Sequence, residues 1–161
     1  MPMLRPQDAN FLKQQFGQLV DPVTLVFFCQ SSLALPTLRG LGGTATSAAE
    51  LCPQTESMLN EVAALSDKIT VEKRNFSLDK EAVAQYQIDK IPAIAIVRGA
   101  DGERRDYGIR YYGIPAGHEF SSFVADIGNV SSGESGLAPE SKQTLATLKR
   151  PVHIQVFSTP T

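Results

Sequence analysis

Pro22-Val23-Thr24-Leu25-Val26-Phe27-Phe28 is a short apolar run, β-branched and aromatic, bounded by Asp21 before it and Cys29-Gln30 after it. That composition reads as a strand over residues 23–29, buried on both faces. The run returns near the end of the chain as Pro151-Val152-His153-Ile154-Gln155-Val156-Phe157. Each copy follows an amphipathic stretch, residues 7–19 before the first and 142–149 before the second. A helix-then-strand unit that recurs in this way predicts tandem domains of one fold. The expected organisation is one whole unit over residues 1–130, a linker over 131–140, and the opening helix and strand of a second unit over 141–161. The linker assignment rests on Ser, Gly, Glu and Pro with few apolar anchors. An apolar strand at 152–157 with no neighbour would favour self-association.

Outward from the first strand, the elements alternate. Phe11, Leu12, Phe16 and Leu19 place one apolar face on a helix over 7–19, with Asp8 as its cap. Residues 30–47, rich in Gly, Ser and Thr, show no sustained period and read as a long loop. Ser47-Ala48-Ala49-Glu50 has capping-box spacing and opens a helix to about residue 66. Pro53 lies inside it, so a start at Cys52 with Pro53 in the first helical position is the other reading. A strand over 69–76, a short helix over 79–87 and a strand at Ile94-Ala95-Ile96-Val97 follow. Ala100-Asp101-Gly102-Glu103 reads as a hairpin turn, because Asp-Gly tolerates positive φ. Residues 104–112 return as the partner strand, and a helix runs from about 117 to 127. The order α-β-α-β-α-β-β-α joins a parallel half to an antiparallel hairpin half. It is the layout of a thioredoxin-like fold, a three-layer α/β/α sandwich with a mixed central sheet.

Composition bounds the function. The chain has 161 residues, 42% of them hydrophobic and 20% charged, with a net charge of −2. Those values suit a soluble globular protein and give no electrostatic case for nucleic acid or an anionic membrane as partner. No apolar run approaches the roughly 20 residues of a membrane-spanning helix, and the first residues lack a signal-peptide core. Two cysteines do not make a disulfide framework, so a reducing cytoplasm is the expected compartment. His118 and His153 have no Cys or His at ligand spacing, and no metal site is expected. Gly40-Leu41-Gly42-Gly43 lacks the Lys-Ser/Thr of a phosphate loop.

Ile91-Pro92 sits between a helix and an apolar strand, and proline belongs at the first residue of a strand because it cannot donate to the ladder. Ile88-Asp89-Lys90-Ile91-Pro92-Ala93, with Leu65-Ser66-Asp67-Lys68-Ile69 and Tyr107-Gly108-Ile109-Arg110-Tyr111-Tyr112-Gly113-Ile114-Pro115-Ala116-Gly117-His118-Glu119-Phe120, resembles the first unit of the protein disulfide oxidoreductases. These are glutaredoxin-like proteins with two tandem thioredoxin folds. Val156-Phe157-Ser158-Thr159-Pro160-Thr161 looks like the strand that leads into a Cys-Pro-x-Cys site in their second unit. The poor match is residues 29–50. The resemblance implies a cis-proline at Pro92, with Ile91 and Pro92 lining the substrate groove; a trans proline that simply begins a strand is the alternative. It implies protein disulfides as substrates, a thioredoxin-reductase-like donor or glutathione as electron source, and no cofactor.

The family's chemistry uses two thiols three positions apart at a helix start: a nucleophile favoured by the helix N-terminus and a second thiol that resolves the mixed disulfide. Here Cys52 has Ala49 and Thr55 at those spacings. In one register Cys52 is the resolving position of Ala49-Glu50-Leu51-Cys52, with the nucleophile lost. In the other, Cys52-Pro53-Gln54-Thr55 keeps a lone catalytic Cys52 whose partner is Thr. A half-buried packing role is the third reading. Cys29 is either a buried strand-end thiol or an atypical redox partner of Cys52. Three functions follow from these alternatives: a thiol–disulfide oxidoreductase whose first unit has a degenerate site, a non-catalytic thioredoxin-like peptide-binding module, and a single-thiol enzyme using Cys52.

Overall fold

A computed structural model describes residues 4–30, 48–100 and 102–157. Its elements run α1 (Pro6–Phe16), β1 (Val23–Cys29), α2 (Ala48–Ala63), β2 (Ile69–Asn75), α3 (Lys80–Gln85), β3 (Ala93–Arg98), β4 (Arg105–Tyr112), α4 (His118–Ser132) and α5 (Pro139–Ala146). The sheet order is β2-β1-β3-β4. β1 pairs parallel with β2 and antiparallel with β3, and β3 pairs antiparallel with β4. The sheet is therefore mixed, as the alternating order requires: the β1–β2 crossover passes through α2, and β3 and β4 form a hairpin.

Every residue of β1 is buried. Alternate side chains feed two cores. Val23, Leu25, Phe27 and Cys29 face a large core with Leu12 and Phe16 of α1, Met58, Leu59 and Val62 of α2, and Phe123, Ile127 and Val130 of α4. Val26 and Phe28 face a smaller one with Tyr86, Ile88, Ala95 and Val97. Phe28 and Tyr86 meet edge to face with ring centroids 5.8 Å apart, a geometry that aromatic quadrupoles favour. Helices thus cover both faces of the sheet, and a continuous apolar run is what such a central strand needs.

Several boundaries differ from the sequence reading. Phe11 is 60% exposed, whereas Leu12, Phe16 and Leu19 are buried; the apolar face of α1 is narrower than its four large residues imply. Its start is set by Pro6 in the first turn, and Arg5, not Asp8, is the capping residue. α2 begins at Ala48 with Pro53 in its interior, in line with the first reading and against the alternative start at Cys52. α4 continues to Ser132 because Val130 extends the buried row of Phe123, Val124 and Ile127. Ser131 is buried within that extension, not part of a linker. Its Oγ accepts from the Asp21 backbone N–H at 3.1 Å and donates to the Asp21 carbonyl at 2.6 Å, tying the end of α4 to the entry of β1. Residues 151–157 have no ladder partner and are exposed, because a strand forms only against a neighbour. The loop read over 30–47, the capping Ser47, Asp101 and Ser158 to Thr161 lie outside the described residues, apart from Gln30.

The far end of the sheet is closed by Gly99. Its N–H donates to the Pro22 carbonyl at 2.6 Å, and its own carbonyl accepts from Thr24 Oγ1 at 2.8 Å. Its φ is +91°, and a Cβ there would stand 2.4 Å from the Glu103 carbonyl oxygen, so only glycine fits. Glu72 on β2 accepts from both Arg74 and Arg104, spanning the sheet from its edge to the hairpin. Burial pushes the Glu72 carboxyl up, but the two arginines outweigh it and hold it below its ordinary 4.5. The contribution of Glu72 to stability is therefore full above that value and is lost as pH falls through the depressed one. We expect Glu72→Gln to cost about 1 kcal/mol at neutral pH and to lose less than the wild type between pH 7 and pH 3 in thermal melts. Parallel losses on acidification would contradict this.

Candidate functional site

The β1–β3 register pairs Phe28 with Ala93. One step further along both strands, Cys29 closes β1 and Pro92 precedes β3, so the two lie together at one end of the sheet, between its two central strands. The Ile91–Pro92 peptide bond is cis. The Pro92 carbonyl accepts from the Gly113 N–H at 2.8 Å, and the Cys29 carbonyl accepts from the Phe76 N–H at 3.0 Å. Backbone bonds from both flanks therefore hold the ends of β1 and β3.

α2 delivers Cys52 to the same place from above. Cys52 is the fifth residue of that helix. Its Sγ is bonded to Cys29 Sγ, with 6.0 Å between the Cα atoms, within the span a disulfide allows. Both residues are 4% exposed and belong to the large core, among Leu25, Phe27, Met58 and Leu59. A thiolate is disfavoured in such surroundings, and an attacking reagent has little access. The described chain thus holds no free thiol. Thr55, three positions after Cys52, is also buried and donates from Oγ1 to the Leu51 carbonyl at 2.8 Å; it is occupied inside its own helix.

The rim beside Pro92 is polar and aromatic. Ile91 is half-buried and Pro92 buried. Lys90 Nζ stands 5.7 Å from the centre of the Tyr112 ring and 3.5 Å from the Asp89 carboxylate. Burial raises the Tyr112 hydroxyl above its ordinary pKa, and the neighbouring Asp89 charge adds to the effect. Sequence reading singled out Ile91 and Pro92 but passed over Lys90, Asp89 and Tyr112. The signal available was their adjacency to Ile91-Pro92 and to Gly113. His118 opens α4, and both His118 and His153 are exposed. No group of three metal-ligating side chains occurs among the described residues.

No family model matches the chain. The F protein of the alkyl hydroperoxide reductase of Staphylococcus epidermidis is 30% identical over 108 residues, which is 65% of this chain and 17% of that protein. A protein named NADH dehydrogenase from Ferdinandcohnia aciditolerans is 34% identical over 89 residues, 55% of this chain and 13% of that one. The chain therefore spans less than a fifth of these curated relatives. Among solved structures, the N-terminal NTD_N/C domain of alkylhydroperoxide reductase AhpF from Enterococcus faecalis superposes with a TM-score of 0.71 at 26% identity, over 91% of this chain and 62% of that one. A protein disulfide oxidoreductase from Aeropyrum pernix superposes with a TM-score of 0.68 at 21% identity, over 90% and 55%. The mixed four-stranded sheet with helices on both faces is a thioredoxin fold. Within that fold the sequence likeness is to AhpF, at 26% identity to its NTD_N/C domain from Enterococcus faecalis and 30% to a segment of the Staphylococcus epidermidis protein.

The cross-link joins residues 23 apart in sequence, and closing a loop of that size lowers the entropy of the unfolded chain by about 3 kcal/mol. Cys29→Ala and Cys52→Ala should each cost about that much in urea unfolding without reductant, and the double variant should cost little more than either alone. Additive losses would contradict a bond between the two.

Proposed function

We propose that the chain is the docking unit of a thiol–disulfide oxidoreductase acting on cytoplasmic protein disulfides, and that its own cysteines are not the exchanging pair. The observation that carries this reading is the burial of the Cys29–Cys52 bond at the end of the sheet where an exchanging pair must be exposed. Cys52 lies more than one turn into α2, where the helix terminus gives little help to a thiolate. That depth favours the resolving register, with Ala49 at the nucleophile's position near the helix start. The likeness to the AhpF N-terminal domain and to a protein disulfide oxidoreductase supports the class. Protein disulfide substrates, and a thioredoxin-reductase-like donor or glutathione, belong to the proposal for the whole protein.

Docking would use the groove beside Ile91 and Pro92. An extended peptide can pair with main-chain groups there without any thiol, and Tyr112 and Lys90 offer an aromatic and a cationic contact at the rim. The non-catalytic peptide-binding reading describes the same surface in isolation. The single-thiol reading needs Cys52 free, and its bond to Cys29 counts against it.

Insulin reduction by dithiothreitol tests the assignment. We expect the chain to raise the uncatalysed rate by less than twofold, with Cys52→Ala indistinguishable from wild type. An unfolded, cysteine-free peptide should shift the NMR amide resonances of Ile91 and Tyr112. A tenfold acceleration that disappears in Cys52→Ala would overturn the proposal.

A further inference from the structure

The Cys29–Cys52 bond has a second consequence, set by where each sulfur is anchored. Cys29 ends a strand laddered on both sides and cannot move without breaking the sheet. Cys52 sits in the weakest part of α2. Pro53 follows it inside the helix and has no N–H to donate to the carbonyl four residues back, so the ladder of this turn is interrupted. Around it, Pro53 and Gln54 are exposed and Leu51 is only half-buried. The Thr55 hydroxyl is used inside the helix. The tie from Glu56 to Lys73 on β2 is an exposed ion pair, and such pairs contribute little. Cys52 and Thr55 are buried on the inner face of this turn, and the further core residues of α2 are Met58, Leu59 and Val62. Among the described residues, 51–56 are thus held by the disulfide, by the burial of Thr55 and by one exposed ion pair, and the disulfide is the covalent tie among them.

We infer that Cys29–Cys52 is a redox latch: oxidised, it fastens the first described turns of α2 to the end of β1; reduced, it releases them while the rest of the fold stands. The reaction is ordinary dithiol exchange. A thiolate of an external dithiol attacks one sulfur, forming a mixed disulfide and expelling the other cysteine as a thiolate that takes up a proton. The second thiol of the reagent then attacks the mixed disulfide and frees the first cysteine. Two electrons and two protons pass to Cys29 and Cys52, and the external dithiol leaves as a disulfide. The burial of both sulfurs makes a brief local opening of α2 at Pro53 the route of entry. In a reducing compartment disulfides persist only conditionally, so the order of α2 follows the dithiol balance around the chain. The inference concerns local order and is independent of what the groove docks.

Dithiothreitol as the dithiol, with thiol alkylation and hydrogen exchange as readouts, tests it on the whole chain. Without denaturant, two alkyl groups per chain should appear, and amide exchange over residues 52 and 54–57 should accelerate at least tenfold more than exchange over 119–131, which registers only the global loss of stability. Reoxidation should restore the slow exchange, and the Cys29→Ala/Cys52→Ala chain should match the reduced wild type. If that variant does not fold, the reduced wild type alone supplies the readout. Three results would overturn the latch. Thiols that appear only in denaturant make the bond a permanent staple. Unchanged exchange in α2 makes it idle. Equal acceleration in α2 and α4 makes it a support of the whole fold.

Discussion

Everything at the candidate site hangs from the burial of β1. Seven successive residues, each removed from water, lie between a parallel and an antiparallel neighbour. Apolar burial of this kind is the dominant favourable force in folding, and here it also fixes position. Because the side chains of β1 alternate between two cores, a slip of one residue would exchange Leu25 and Phe27 with Val26 and Phe28 and put every side chain on the wrong face. Register is therefore strongly held, and with it the place where the strand ends. Cys29 is that end, and Pro92 stands beside it because β3 reads the same register in reverse.

That constraint decides what the cysteines can do. In a thiol–disulfide exchanger the nucleophile must meet its substrate in water, at a helix start that favours the thiolate. Here one sulfur is carried by the last residue of the central strand and the other lies inside a helix, and each is walled by the aliphatic and aromatic side chains of the large core. At this end of the sheet the fold sets a cis-proline with an aromatic neighbour on the rim, while both sulfur-bearing residues are buried. A structural cross-link and a surface for docking are compatible with each other; a buried bond and rapid turnover are not.

Much of this was legible in the residues. The apolar runs of β1 and β3, the hairpin turn and the order of elements all follow from period and turn chemistry, and the absence of a second cysteine three positions from Cys52 is visible at once. The pairing of Cys29 with Cys52 was not legible, because it depends on how α2 returns over the sheet, and spacing in sequence carries no such information. The exposure of Phe11 was hidden for a related reason: the apolar periodicity of α1 does not say how wide a stripe the core can accept. α4 was read short because Ser131 looks like linker composition, and only its hydrogen bonds to Asp21 across 110 positions reveal it as a buried clamp. Lys90 and Tyr112 form a rim only once β4 has folded back beside Pro92.

The central claim is that the thiols of this unit are spent on each other at the end of β1. Peptide mapping of the air-equilibrated, non-reduced chain tests it most directly, with free thiols blocked in denaturant before digestion at low pH. The account predicts a cross-linked peptide pair containing Cys29 and Cys52 and no alkylated cysteine. Recovery of both cysteines as alkylated, unlinked peptides would contradict it, and would make Cys52 an available nucleophile again.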